Sequence, residues 1–95
     1  MNEAEIYRKA AELLRRNGWA SASWSQLNAA YGPRCIGIAL REAGGPLPNY
    51  YSTESSYPAL QELLNDTCLA EFNDHHCETV DDALAALEIA ADLAS

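Results

Sequence analysis

Ile6, Ala10, Leu13 and Leu14 recur at i, i+4, i+7 and i+8 with Arg8, Lys9 and Glu12 between them, and a single apolar stripe at that spacing predicts a helix. Asn2 stands at the cap position, and Glu5, three residues on, completes a capping-box pattern. Arg15 and Arg16 fall in the expected last turn, where cations complement the helix dipole. Gly18 follows as a left-handed C′ residue, which makes Leu14 and Trp19 the C3 and C″ pair of a Schellman motif and Trp19 a structural latch.

The pattern then blurs. Residues 20–32, ASASWSQLNAAYG, alternate small apolar side chains with serines around Trp24, which suits a short half-buried strand, while Ser25 to Ala30 equally suits a helical turn capped by Ser23 or Ser25. Pro33 fits the first turn of a second helix running through CIGIALREA to Gly44, with Cys35, Ile36, Ala39, Leu40 and Ala43 on its buried face. Gly37 costs up to about 1 kcal/mol relative to Ala inside a helix, so close packing of another segment is the expected reason for it. Residues 44–57 read as a linker, rich in Gly, Pro, Ser and Tyr. Ser56 and Pro58 open a third helix whose stripe is Leu60, Leu63, Leu64 and Cys68, ending near Leu69. Thr79 with Asp82 gives a second capping signal, Asp81 adds charge to the same helix end, and Val80, Leu84, Leu87 and Ala91 mark the last helix.

These elements predict a mostly α fold, a compact single domain of about four helices over residues 1–95, with a small β-hairpin after the first helix as an α+β alternative. A chain of 95 residues supports one core, and its 48% hydrophobic content is largely alanine, which suits close helix packing. The start MNEAEIYRKA lacks the basic and apolar run of a secretion signal, and no apolar stretch approaches the roughly 20 residues that span a bilayer. The expected location is the cytoplasm, where three cysteines are expected to be reduced thiols, at least one of them core.

Charge sharpens the picture. All six cations lie in residues 1–41 against three carboxylates, a net +3, whereas eleven carboxylates and no Lys or Arg follow from Glu42 onward. A half-chain of net −11 is a poor binder of nucleic acid or anionic membrane and a fair one of a basic protein surface, although surplus carboxylates also simply confer solubility. The expected partner is a basic protein, with homo-oligomerisation of basic first helices on acidic last helices as a second form. The expected interaction residues are Tyr50, Tyr51, Tyr57, Asp74, Glu78, Asp81, Asp82 and Glu88, the tyrosines either packing over the helices or offering contact area at low entropy cost.

The stretch FNDHHCETVDD holds the candidate chemistry. Its bland reading is the connection before a well-capped helix, where polar side chains satisfy free backbone groups. A zinc site would need Cys68, His75, His76 and Cys77, but neither a C-x-x-C nor an H-x-x-x-H pair exists. A thiol enzyme would pair Cys35, near a helix N-terminus, with His75 or His76, oriented by Asp74 or Asn73. No cofactor is expected.

Gly18-Trp19, the C-x-x-x-A-L run of Cys35, Ala39 and Leu40, and Phe72-Asn73-Asp74 followed by a Thr79-capped helix resemble an uncharacterised family of small proteins from actinobacteria and their phages, catalogued as a domain of unknown function. Members often carry glycine just before the Ala-Leu pair, where this chain has Ile38 and places glycine at 37. The resemblance spans most of the chain and implies no known activity, but it points to a phage or prophage gene. The resulting expectation is a non-enzymatic acidic protein-interaction module, a phage-encoded modulator of a host protein.

Overall fold

The computed structural model describes residues 2–19, 35–46, 57–65 and 67–95. The stretch 20–32, Pro33, Tyr50, Tyr51 and Ser56 lie outside the described residues. Among those described no strand forms, and the fold is mostly α.

Helix α1 spans Glu3–Asn17, and the Asn2 side chain accepts from Glu5 N–H at 2.9 Å as the sequence predicts. Its C-terminal end differs from expectation. Gly18, at φ 89 and ψ 169, donates its N–H to Leu14 C=O at 2.8 Å, so a single bond closes the helix. The Schellman motif forms instead after α2 (Ile36–Glu42), where Gly44 has φ 105, Gly44 N–H reaches Arg41 C=O and Gly45 N–H reaches Leu40 C=O, both at 3.1 Å. Trp19 is still a latch, but through its indole, as described below.

Helix α2 begins later than Pro33 predicts. Cys35 is its cap, with Sγ accepting from Ile38 N–H at 3.4 Å, and Ile36 to Leu40 are all buried, because these first five residues are apolar on every side and lie in the core, leaving only Arg41 and Glu42 of the helix exposed. Helix α3 covers Pro58–Leu64. The predicted stripe from Leu60 to Cys68 is broken at Asn65, which takes φ 60, and the Gln61 side chain donates to the carbonyls of Asn65 and Thr67 across the break. Cys68 instead caps α4 (Leu69–Glu71), which runs straight into a π-helical turn at Phe72–His76. The connection expected at NDHHCE is therefore largely helical. Helix α5 spans Val80–Ala94, with Thr79 at the cap and the Asp82 carboxylate accepting from Glu78 N–H at 2.8 Å and Thr79 N–H at 3.3 Å.

Among the described residues the most extensive helix pairing is α1 against α5. The buried residues are Ala4, Ile6, Tyr7, Ala10, Ala11 and Leu14 on α1 and Ala83, Ala86, Leu87, Ala90 and Ala91 on α5, and the many small side chains among them allow close approach. A single hydrophobic cluster takes buried residues from α1 through α5. Tyr7 and Tyr57 are the largest fully buried side chains among the described residues, with ring centroids 5.9 Å apart. Gly45 is fixed by this packing, since a Cβ there would stand 2.2 Å from the Tyr57 hydroxyl. That hydroxyl donates to Pro46 C=O at 2.5 Å and ties the two ends of the predicted linker together. Among the described residues no helix is long and apolar enough to cross a membrane.

Candidate functional site

The π turn sets the geometry of the candidate region. Cys77 N–H reaches back five residues to Phe72 C=O at 3.1 Å, and the wider turn carries Asn73 into the interior, where it is 1% exposed. Its Oδ1 accepts from the Trp19 indole N–H at 2.8 Å and from Ile36 N–H at 3.1 Å, and its Nδ2 donates to Asp74 Oδ1 at 3.0 Å. A buried amide is tolerated only when its polar atoms find partners, and these contacts supply them. The Gly-Trp pair, the start of the Cys35 helix and the Phe-Asn-Asp run thus meet at one side chain. Asn73 is a structural hub, whereas the sequence offers it as part of the Phe-Asn-Asp motif, as a polar residue of the lead-in to the last helix and as an orienter of a histidine.

A second, part-buried polar set joins α1 to α3. Glu3 Oε2 accepts from Ala59 N–H at 3.0 Å, the Tyr7 hydroxyl accepts from Leu60 N–H at 3.1 Å, and Tyr7 in turn donates to Glu3 at 2.5 Å. Burial, followed by the hydrogen bond to Glu3, pushes the Tyr7 hydroxyl pKa far above its ordinary value. Glu3 and Tyr7 lie one helical turn apart, but nothing local in the sequence ties them to residues 59 and 60.

The candidate chemical residues separate. Cys35 is fully buried, whereas His75 and His76 are exposed. Cys77 is buried, and burial, then the Asp82 and Asp74 carboxylates, push its thiol up to about 11, so it stays protonated at neutral pH and is a poor nucleophile or ligand in that state. Half-buried Cys68 shares a shallow depression of about 310 Å³ with Ala70, Glu71, Asp74 and His75. His76 faces a different one, of about 240 Å³, lined by Leu63, Phe72, Asp82, Ala85, Ala86 and Ile89, and stacks on Phe72 at 6.2 Å and 19°. Among the described residues no group of three or more His, Cys, Asp or Glu is placed to hold a metal ion.

The expected interaction residues also divide. Tyr57, only 1% exposed, packs in the core and offers no recognition surface, because its ring fills the space between Tyr7 and Gly45. Asp74 is half-buried against Asn73. Glu78, Asp81, Asp82 and Glu88 are exposed, with Glu88 paired to Arg15 of α1 and Asp82 engaged in capping α5.

A search of curated proteins found no match, and neither did a search of solved structures. Comparison with protein-family models matches residues 1–93, nearly the whole chain and all of the motif residues that meet at Asn73. By that match the chain belongs to the family described as Family of unknown function (DUF6197).

Proposed function

We propose that the chain is a non-enzymatic interaction module whose carboxylate-rich second half engages a basic surface on a partner protein. The charge partition carries this reading, since eleven carboxylates and no Lys or Arg follow Arg41. The helix pairing supports it. Although basic α1 lies against acidic α5, Arg15 takes up only Glu88, and Arg16 pairs within its own helix with Glu12 at 3.2 Å, while Asp81 and Asp92 stay exposed. The finer form of the reading, a phage-encoded modulator acting in the cytoplasm of an actinobacterial host, rests on the motif resemblance alone. Affinity capture from such a host at low and moderate salt tests it. The expected result is a basic partner whose binding weakens steeply with salt. No partner at low salt, or one indifferent to salt, would refute it.

A thiol-dependent activity is the second reading, favoured by the depression that sets Cys68 beside Asp74 and His75. Exposure favours Cys68 over buried Cys35 as its nucleophile. Fast iodoacetamide labelling of Cys68 at neutral pH that slows in His75→Ala would support it, and labelling at the rate of an ordinary thiol would exclude it.

A further inference from the structure

We infer that the groove between α3, the π turn and α5 is the docking site of the basic partner, and that the segment it takes is an amphipathic helix with apolar anchors flanked by lysine or arginine. The inference rests on the interaction function proposed above and gives it a place on the surface.

Helix α5 is apolar on two sides. Ala83, Leu87, Ala90 and Ala91 are buried in the core, and Ala85 and Ile89, with buried Ala86 beside them, line the groove together with Leu63 of α3 and Phe72 of the π turn. Leu93 continues the same stripe one turn past Ile89. Ile89 and Leu93, 47% and 51% exposed, are the large hydrophobic side chains most open to solvent among the described residues. Isolated exposed leucines are ordinary, but two on one helix stripe, continuous with an apolar groove, form a contact face.

The dimensions fit a helix. From Asp82 to Leu93 the stripe runs roughly 16 Å, which matches three turns of a partner helix laid along it. At about 240 Å³ the groove lies below the roughly 300–1,000 Å³ that cavities enclosing a small ligand occupy, and it suits side-chain anchors instead.

Charge selects the occupant. Every described residue lining the groove comes from the part of the chain that has no Lys or Arg. Asp82 stands at one end, and helical spacing puts Asp81 and Asp92 beside the stripe on the solvent side of α5. A second copy of this chain is a weaker candidate, because α1 buries its apolar face in its own core and commits Arg15 and Arg16 to Glu88 and Glu12.

The probe is a synthetic amphipathic helix of about 16 residues with leucines at i, i+4 and i+7 and flanking lysines, titrated into the full 15N-labelled chain. Amide shifts are expected at Leu63, Phe72, His76, Ala85 and Ile89. Ile89→Lys is expected to weaken binding by about tenfold or more, the loss typical of an anchor contact, while leaving the remaining spectrum in place. Ile89→Ser provides the same test without added charge. Asp81→Asn combined with Asp92→Asn is expected to weaken binding less and to flatten its salt dependence. No shifts in the groove at millimolar peptide, or binding unaffected by either Ile89 variant, would overturn the inference. Salt-dependent binding that maps elsewhere would remove the groove and leave the acidic interaction module standing. Equal binding of a peptide with glutamates in place of the lysines would remove the basic occupant. A dimer in sedimentation that Ile89→Lys dissolves would hand the groove to a second copy and overturn the proposed occupant.

Discussion

Helices α1 and α5 begin differently from α2 and α3. The two long helices, fifteen residues each, are capped by exposed side chains within a few positions, Asn2 for Glu5 N–H and Asp82 for the amides of Glu78 and Thr79. The two short ones, seven residues each, also take partners from distant parts of the chain: Asn73 for Ile36 N–H, beside the local Cys35 Sγ cap of Ile38 N–H, and Glu3 with Tyr7 for the amides of Ala59 and Leu60. A helix shorter than about 12–15 residues is marginal in water, so α2 and α3 depend on contacts that only the folded chain supplies. Caps on the outer helices add local stability, whereas those on the inner helices are the joints between helices.

The largest expected break in this contrast is Asn73→Ala. It leaves the buried Ile36 N–H and the half-buried Trp19 indole without their acceptor, at about 1–3 kcal/mol for each unsatisfied group. Thermal unfolding should shift down by about 10 °C or more, given about 4–8 °C per kcal/mol for a domain of this size. A cost no larger than that of an outer cap would end the distinction. Tyr7→Phe comes next, at about 1–3 kcal/mol, since Leu60 N–H loses its acceptor. Combined with Glu3→Gln it should cost less than the sum, because Tyr7 and Glu3 share a hydrogen bond; strict additivity in denaturant titrations would contradict the shared cap.

Alkali should sharpen the contrast by weakening the buried groups first. Burial raises the folded-state pKa of Tyr57 from 10.0 to about 12, and burial, with Asp82 and Asp74 behind it, raises that of Cys77 from 9.0 to about 11. Both hold their protons more tightly folded than unfolded, so their contribution is complete below the unfolded value and is lost as pH climbs to the folded one. Melting temperature should therefore fall from pH 9 upward, and Cys77→Ala should delay the onset toward pH 10; a flat profile to pH 11 would contradict the burial of both groups. The smallest effects belong to the outer caps. Asn2→Ala and Asp82→Ala should each cost about 1 kcal/mol and add independently, as urea midpoints of the single and double variants would report.

The same contrast explains what the sequence made legible. Asn2 with Glu5 and Thr79 with Asp82 are visible because cap and partner lie three residues apart, and the stripes of α1 and α5 are long enough to show their period. The contacts that assemble the middle span 37 residues for Asn73 and Ile36, 54 for Trp19 and Asn73, and 56 for Glu3 and Ala59, and no local spacing announces them. Gly18 and Gly44 both end helices, but the Schellman pair forms only at Gly44, where Gly45 N–H, tucked beneath Tyr57, completes it, while Gly18 closes α1 with a single bond. The polar run at 73–76 concealed a helix because a π turn shifts the usual 3.6-residue period, sending Asn73 inward and leaving His75 and His76 outside. The candidate site was thus legible as a cluster of residue types. Its division into a buried hub, a thiol-bearing depression and an apolar groove was not.

The pairing of α1 with α5 also bears on how the chain is made. A ribosome adds roughly 5–20 residues per second, so several seconds separate the emergence of Glu3–Asn17 from that of Val80–Ala94. During that interval Ala10, Ala11 and Leu14 lack their main cover, and Ile36 waits for Asn73. Helix α1 is made well before it is secured, because its main cover arrives only with α5.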